Sequence, residues 1–348
     1  MSGRHSLTVP SAKHRTIEVK HMKRILAVFA VCCLCLTGCV NGVATPTQTA
    51  TTTTTTTTAA TTTTTTESTT TTTTAQTEFR MPFTGLYTAT TTQPNASDGF
   101  ALTAEQIASL DALIGSYEKE VSVGYYDVRS GYTYTYNADH VYMAASVIKA
   151  PFCRYVLGIA EELNLDLTQL TSTYTEKMFA PGTGIIQESE YGTVYTHKRL
   201  IELAMCESDN TAFKMLRTAY NTEQFKKFAE SIGIENIAGI KNVSSSRLNI
   251  TDALTYVKDL YAYVYGDTKY GKWLEELMLR TNYPMITSSY PVLRKYGWMD
   301  NAYHDMAIIN APRPYFVVIL TDHDEGTAAD LQMFRDISMA IEAVSGNG

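Results

Sequence analysis

Ser146 and Lys149 lie three positions apart in the stretch Ala144-Ala145-Ser146-Val147-Ile148-Lys149-Ala150-Pro151. On a helical turn that spacing puts both side chains on one face, so the amine comes within hydrogen-bond reach of the hydroxyl. An alcohol ionises far above pH 7 and does not attack an amide unaided. Lys149 can be its base only if desolvation or a neighbouring positive charge depresses the amine's own pKa. Two later segments, Ser208-Asp209-Asn210 and Lys295-Tyr296-Gly297, supply a second hydroxyl, an amide and a second ammonium that can provide that charge. Each segment alone has a bland reading: Ser208 as a helix cap, Asp209-Asn210 as a turn pair, Lys-x-Gly as a turn. Their order and context along one chain carry the weight.

The elements that must hold these residues follow from periodicity. Leu102 to Glu120 has apolar residues at helical spacing, with Thr103 placed to cap its start. Val121–Val128 and Tyr132–Tyr136 flank the turn Arg129-Ser130-Gly131 and predict a hairpin. The Ser146 helix is expected to begin near Ser146 and run through Ile159, and Leu165 to about Tyr265 is helical in pattern. Three strands, Pro291–Trp298, Tyr303–Asn310 and Tyr315–Thr321, precede a final helix over Thr327–Val344. This order implies an α+β fold, with one antiparallel sheet formed by both chain ends.

The three motifs in this order resemble the signature set of class A β-lactamases and penicillin-binding proteins, over roughly residues 102–348. The resemblance implies flanking helices on the sheet, an inserted all-helical lobe, and the site at the seam between them. It implies Ser146 as nucleophile, Lys149 as base, Ser208 as proton relay to the departing nitrogen and Lys295 as the nearby charge. Asn210 would position the substrate's amide side chain. Backbone amides of Ser146 and Trp298 would stabilise the oxyanion, and Gly297 would let substrate lie close to the edge strand. No cofactor is expected.

Two departures bear on function. The family's water-activating glutamate lies in a Glu-x-x-Leu-Asn loop, and counting back from Leu248-Asn249 puts Ser245 there. The loop is also short, because Asn249-Ile250-Thr251-Asp252 starts the next helix. Glu188, Glu190 and Glu207 are the other carboxylates near the motifs in sequence; Glu207 reads as a solvated or capping group, and Glu188 and Glu190 fall on a loop at the cleft mouth without an assigned role. Tyr296 stands where the family usually has Thr or Ser, a hydroxyl that ordinarily helps bind the substrate's carboxylate. His304-Asp305 is close to this edge, and His304 reads as a packed strand residue in preference to a substrate contact.

The first hundred residues carry no core. Positions 45–77 are almost continuous threonine and read as a tether within 40–101. Before it, Met22-Lys23-Arg24 and the apolar run Ile25–Leu36 lead into Leu36-Thr37-Gly38-Cys39. That end resembles a bacterial lipobox, making 1–39 a leader and signal segment and Cys39 a lipid site; an uncleaved signal anchor is the alternative. Either way an exported, membrane-tethered protein is expected. Of six cysteines, only Cys153 and Cys206 fall in the folded part, and burial is favoured over a bridge. A net charge of -7 with dispersed basic residues gives no nucleic-acid footprint, and no Cys/His cluster suits zinc. The 23 tyrosines suit strands of a half-buried sheet.

Together these features predict a cell-surface serine hydrolase that forms an acyl-serine with β-lactams and opens the ring, with slow deacylation. A penicillin-binding enzyme acting on cell-wall peptides and a non-catalytic surface binding or sensor module are the alternatives.

Overall fold

Alternation along the strands sorts their side chains into two apolar clusters, one on each face of a sheet. The computed structural model describes residues 98–117, 119–236, 246–324 and 326–347. In chain order it has α1 (Ala104–Ile114), β1 (Val121–Asp127), β2 (Thr133–Tyr136), β3 (Tyr142–Met143), α2 (Lys149–Glu162), β4 (Thr171–Thr173), β5 (Val194–Thr196) and α3 (His197–Cys206). There follow α4 (Asn210–Tyr220), α5 (Thr222–Ser231), β6 (Arg247–Leu248), α6 (Ile250–Tyr265), α7 (Gly271–Leu279), β7 (Val292–Met299), β8 (Ala302–Ile309), β9 (Tyr315–Thr321) and α8 (Ala328–Val344).

Both chain ends complete one five-stranded sheet in the order β2-β1-β9-β8-β7, antiparallel at every pairing. Val123, Tyr125, Val317 and Ile319 pack with α1 and α8 residues such as Leu110, Phe334 and Ile337. Leu293, Met306, Phe316 and Val318 face the other way, into the cluster built from the helical lobe. Burial on both faces explains why β1, β8 and β9 are buried throughout. Gly124 lets α6 lie against β1, because a Cβ there would be 2.9 Å from Ile250 Cγ2 and 3.0 Å from Leu254 Cδ1. Alanine at that position would overpack the contact at a cost of about 1–3 kcal/mol.

The α+β layout, the hairpin, the three late strands and the final helix agree with expectation. Thr103 caps α1 in a reciprocal box with Gln106, but the helix stops at Ile114, short of Glu120, where Gly115 closes it. The span 165–265 is not wholly helical. Thr171–Thr173 and Val194–Thr196 pair as a two-stranded ribbon, and Gly182, Gly184 and Gly192 between them take positive φ, a conformation that breaks helical periodicity.

Candidate active site

Ser146 lies in a 3₁₀ turn, Ala145–Ile148, immediately before α2. In such a turn residues three apart eclipse, so Ser146 and Lys149 share a face. Pro151 falls in the first turn of α2, where its missing N–H costs no helical bond. Ala145 enters the turn at φ +47°, a conformation unfavourable for a residue with a Cβ. The turn packs on the edge strand β7 at Gly297. A Cβ on Gly297 would be 2.8 Å from the backbone nitrogens of both Ser146 and Val147 and 3.1 Å from Ala145 Cβ, so only glycine permits this approach.

Ser208 is the centre of the polar cluster. Its Oγ accepts from Lys149 Nζ at 3.2 Å and from Lys295 Nζ at 3.0 Å. Lys149 also donates to the Ser208 carbonyl oxygen and, at 2.8 Å, to Asn210 Oδ1, which occupies the three donors of an ammonium. The expected Ser146–Lys149 hydrogen bond is therefore not formed; among the described residues the amine is spent on the Ser208 motif. Lys149 and Lys295 are fully buried, and Ser146 is 7% exposed. Burial, and then the charge of Lys295, drives the Lys149 amine well below its ordinary range. Burial brings Lys295 down to about 7, with the Asp305 carboxylate opposing. Both amines are thus pushed towards the neutral form, Lys149 by burial and by the charge of Lys295.

Ser208 itself has φ +52°, and its neighbours explain how that conformation persists. Asp209 caps α4 through Ala212 N at 2.8 Å, while its other oxygen accepts from Ile185 N at 2.7 Å and Ile186 N at 2.9 Å. Asn210 donates from Nδ2 to Pro181 O at 2.8 Å and from its backbone to Thr183 O at 2.9 Å. A Cβ on Gly184 would collide with Asp209. The loop around 180–187 is thus stitched to the Ser208 motif, a support that none of the three motifs contains and that Gly182 and Gly184 signal only in part.

Tyr296 pairs in register with Asp305 on β8. Its ring centroid is 4.1 Å from Lys295 Nζ, and its hydroxyl donates to Asn282 Oδ1 at 3.3 Å. Burial, followed by the Glu207 charge, pushes the phenol up to about 12, so it stays protonated. Trp298 is 37% exposed, with its indole N–H donating to Asp324 O at 3.1 Å. His304 is packed between strands: its Nε2 is 2.7 Å from Met143 O, and its Nδ1 accepts from Thr321 N at 3.1 Å. Burial lowers it to about 4.

Among the described residues, no hydrogen bond joins Glu188, Glu190, Glu207, Cys153 or Cys206 to Ser146. Glu188, Glu190 and Glu207 are exposed, and Glu207 accepts from Asn282 Nδ2 at 3.5 Å. Cys153 and Cys206 are free, buried thiols. Cys39, the leader, nearly all of the tether, and Ser245 lie outside the described residues.

No match was found among curated protein sequences. Among solved structures, PBP-A superposes with a TM-score of 0.65 at 17% identity, covering 72% of this chain and 97% of that one. A β-lactamase from Sphaerobacter thermophilus superposes at 0.63 with 18% identity, covering 70% and 98%. The TLA-1 extended spectrum β-lactamase does so at 0.62 with 15% identity, covering 70% and 98%. At such identities these likenesses carry the fold alone. The sequence model described as the β-lactamase enzyme family matches residues 104–344, so the chain belongs to that family.

Proposed function

We propose that this protein is a serine hydrolase whose Ser146 is acylated by β-lactams and released slowly. The observation that carries the reading is the convergence of two buried ammonium groups on one hydroxyl, Ser208 Oγ. With both lone pairs accepting, the Ser208 proton points away from the lysines, where it can pass to a departing ring nitrogen. Lys149, held at a low pKa by burial and by Lys295, takes the Ser146 proton once neutral. The Ser146 backbone N–H, opposite Gly297, and the Trp298 N–H on the edge strand are the donors assigned to the oxyanion. Asn210 would orient the acyl side chain. The likeness to PBP-A, a mutant of which was solved as an acyl-enzyme complex with penicillin-G, supports an acyl-serine here.

Slow release follows from the carboxylates. Ser245 occupies the sequence position of the expected water-activating glutamate, and Glu188, Glu190 and Glu207 are solvent-exposed. Loss of a general base slows hydrolysis on the order of 10²- to 10⁴-fold. A pre-steady-state time course of the full chain with a chromogenic β-lactam should show a stoichiometric burst and then a slow phase; rapid linear turnover without a burst would refute it. A long-lived acyl-enzyme also suits an enzyme of cell-wall peptides, which the same protein would process in place of β-lactams. Anchoring through Cys39 fits that setting: Cys39→Ser should release the protein from the membrane fraction, and a mature N-terminus elsewhere without lipid mass would count against it.

A further inference from the structure

We propose that the outer end of β7 is a subsite for an uncharged, ring-bearing part of the substrate, with Tyr296 as the specificity-determining residue that disfavours a carboxylate there. The proposal rests on the acyl-serine reading of Ser146 and adds a substrate class to it.

The cations contributed by β7 and the loop before it are committed elsewhere. Lys295 is fully buried; its ammonium donates to Ser208 Oγ at 3.0 Å and to Tyr296 O at 2.8 Å, with the Tyr296 ring 4.1 Å away. Arg294 donates to Ile286 O at 2.6 Å and pairs with Asp305 at 3.2 Å. Arg280 pairs with Glu202 at 2.9 Å while its side chain stays more than half exposed. What this edge presents is aromatic and acidic. Trp298 is 37% exposed, and Tyr283 stacks on it with centroids 5.8 Å apart and planes 26° from parallel.

Tyr283 is held at φ +73°, an outlier for an aromatic residue. Its hydroxyl accepts from Tyr303 at 3.1 Å, so the stacked pair is fixed in place. Backbone strain of this kind concentrates where a surface must be presented in one orientation. On the same rim Asn282 joins the Tyr296 hydroxyl at 3.3 Å to the Glu207 carboxylate at 3.5 Å. A carboxylate brought here loses water without gaining a cation and approaches a like charge, whereas a neutral ring finds a preformed π surface.

The test compares Ser146 acylation of the full chain by benzylpenicillin and by its methyl ester, read as second-order rates by intact mass. A parallel pair uses an acylglycyl thioester ending in a carboxylate and the same compound ending in an amide. The neutral member of each pair should react at least about tenfold faster. Tyr296→Thr should bring the ratio towards one or invert it, and Trp298→Ala should slow the neutral member more than the acid. Acids reacting as fast as, or faster than, their neutral partners on the wild-type protein overturn the proposal while leaving the acyl-serine intact. If only the thioesters label Ser146, the β-lactam activity falls and the thioester ratio decides the subsite. If none of the four labels Ser146, both readings fall. The wild-type ratio is decisive by itself should Tyr296→Thr fail to fold.

Discussion

In the helical lobe Arg154 lies fully buried with its guanidinium 2.8 Å from Asp259 and over the rings of Tyr263 and Phe228 at 4.4 and 5.4 Å. At the seam, Lys149 and Lys295 are buried as deeply, yet among the described residues their hydrogen bonds go to a hydroxyl, carbonyl oxygens and an amide. The first cation has a carboxylate in contact, and burial still raises that carboxylate to about 6 against the pull of Arg154. The second pair has none, and burial moves both amines down. A guanidinium does not deprotonate and, with a carboxylate in contact, holds helices together; a buried ammonium without one is pushed towards the neutral form. Side-chain type and the placement of a carboxylate, not depth of burial, separate the two uses of a buried cation.

Replacing Lys149, the proposed base, tests this distinction most strongly. Lys149→Met keeps the volume and removes the amine, so acylation of Ser146 should fall on the order of 10²- to 10⁴-fold. The same change removes a buried amine but also leaves Asn210 Oδ1 and the Ser208 carbonyl without the donor they have here, so stability should move by no more than about 1–3 kcal/mol. Intact mass follows the first effect and urea unfolding the second. A larger loss of stability together with lost activity would show the amine to be structural.

Arg154→Ala should do the reverse. It strands Asp259 in the lobe and should cost about 3–5 kcal/mol, measured as a lower denaturant midpoint, while the folded fraction still labels at the wild-type rate. Arg154→Met combined with Asp259→Leu should recover most of the loss. A single-variant cost no larger than that of an exposed pair, about 0–1 kcal/mol, would erase the contrast between the regions.

The smallest effect is in the pH profile. Below the depressed pKa of Lys149 the proposed base is protonated, and above about 7 Lys295 loses the charge it holds beside Ser208 Oγ. Acylation should therefore rise and then fall with pH, the alkaline limb near neutrality, with apparent values belonging to the pair. Stopped-flow rates from mildly acidic to mildly alkaline pH would show it. A rate that keeps climbing past neutrality would remove Lys295 from the scheme.

Much of the fold was legible in the amino-acid sequence, because strand alternation and helix caps are local. Val121–Val128, Tyr315–Thr321 and the Thr103 and Thr327 starts could be read from neighbouring residues alone. The Thr171–Thr196 excursion was not, since its short strands pair only with each other and carry too few residues to show a period. At the site, the three motifs named the candidates, but the glycine of the third was read as room for substrate, whereas what lies close to Gly297 here is the backbone of Ser146 and Val147.

Residue types and order by themselves determined that a serine, two lysines, a second serine and an asparagine were available, and that the sheet would be closed by both ends of the chain. Only the tertiary structure decided that Lys149 reaches Ser208 and Asn210 instead of Ser146, and that the Tyr296 ring lies beside Lys295. It also decided that Ala145 and Ser208 sit in strained conformations. The reason is physical: partners and burial of these amines depend on elements distant in sequence, and pKa follows burial and neighbouring charge, neither of which a local pattern encodes.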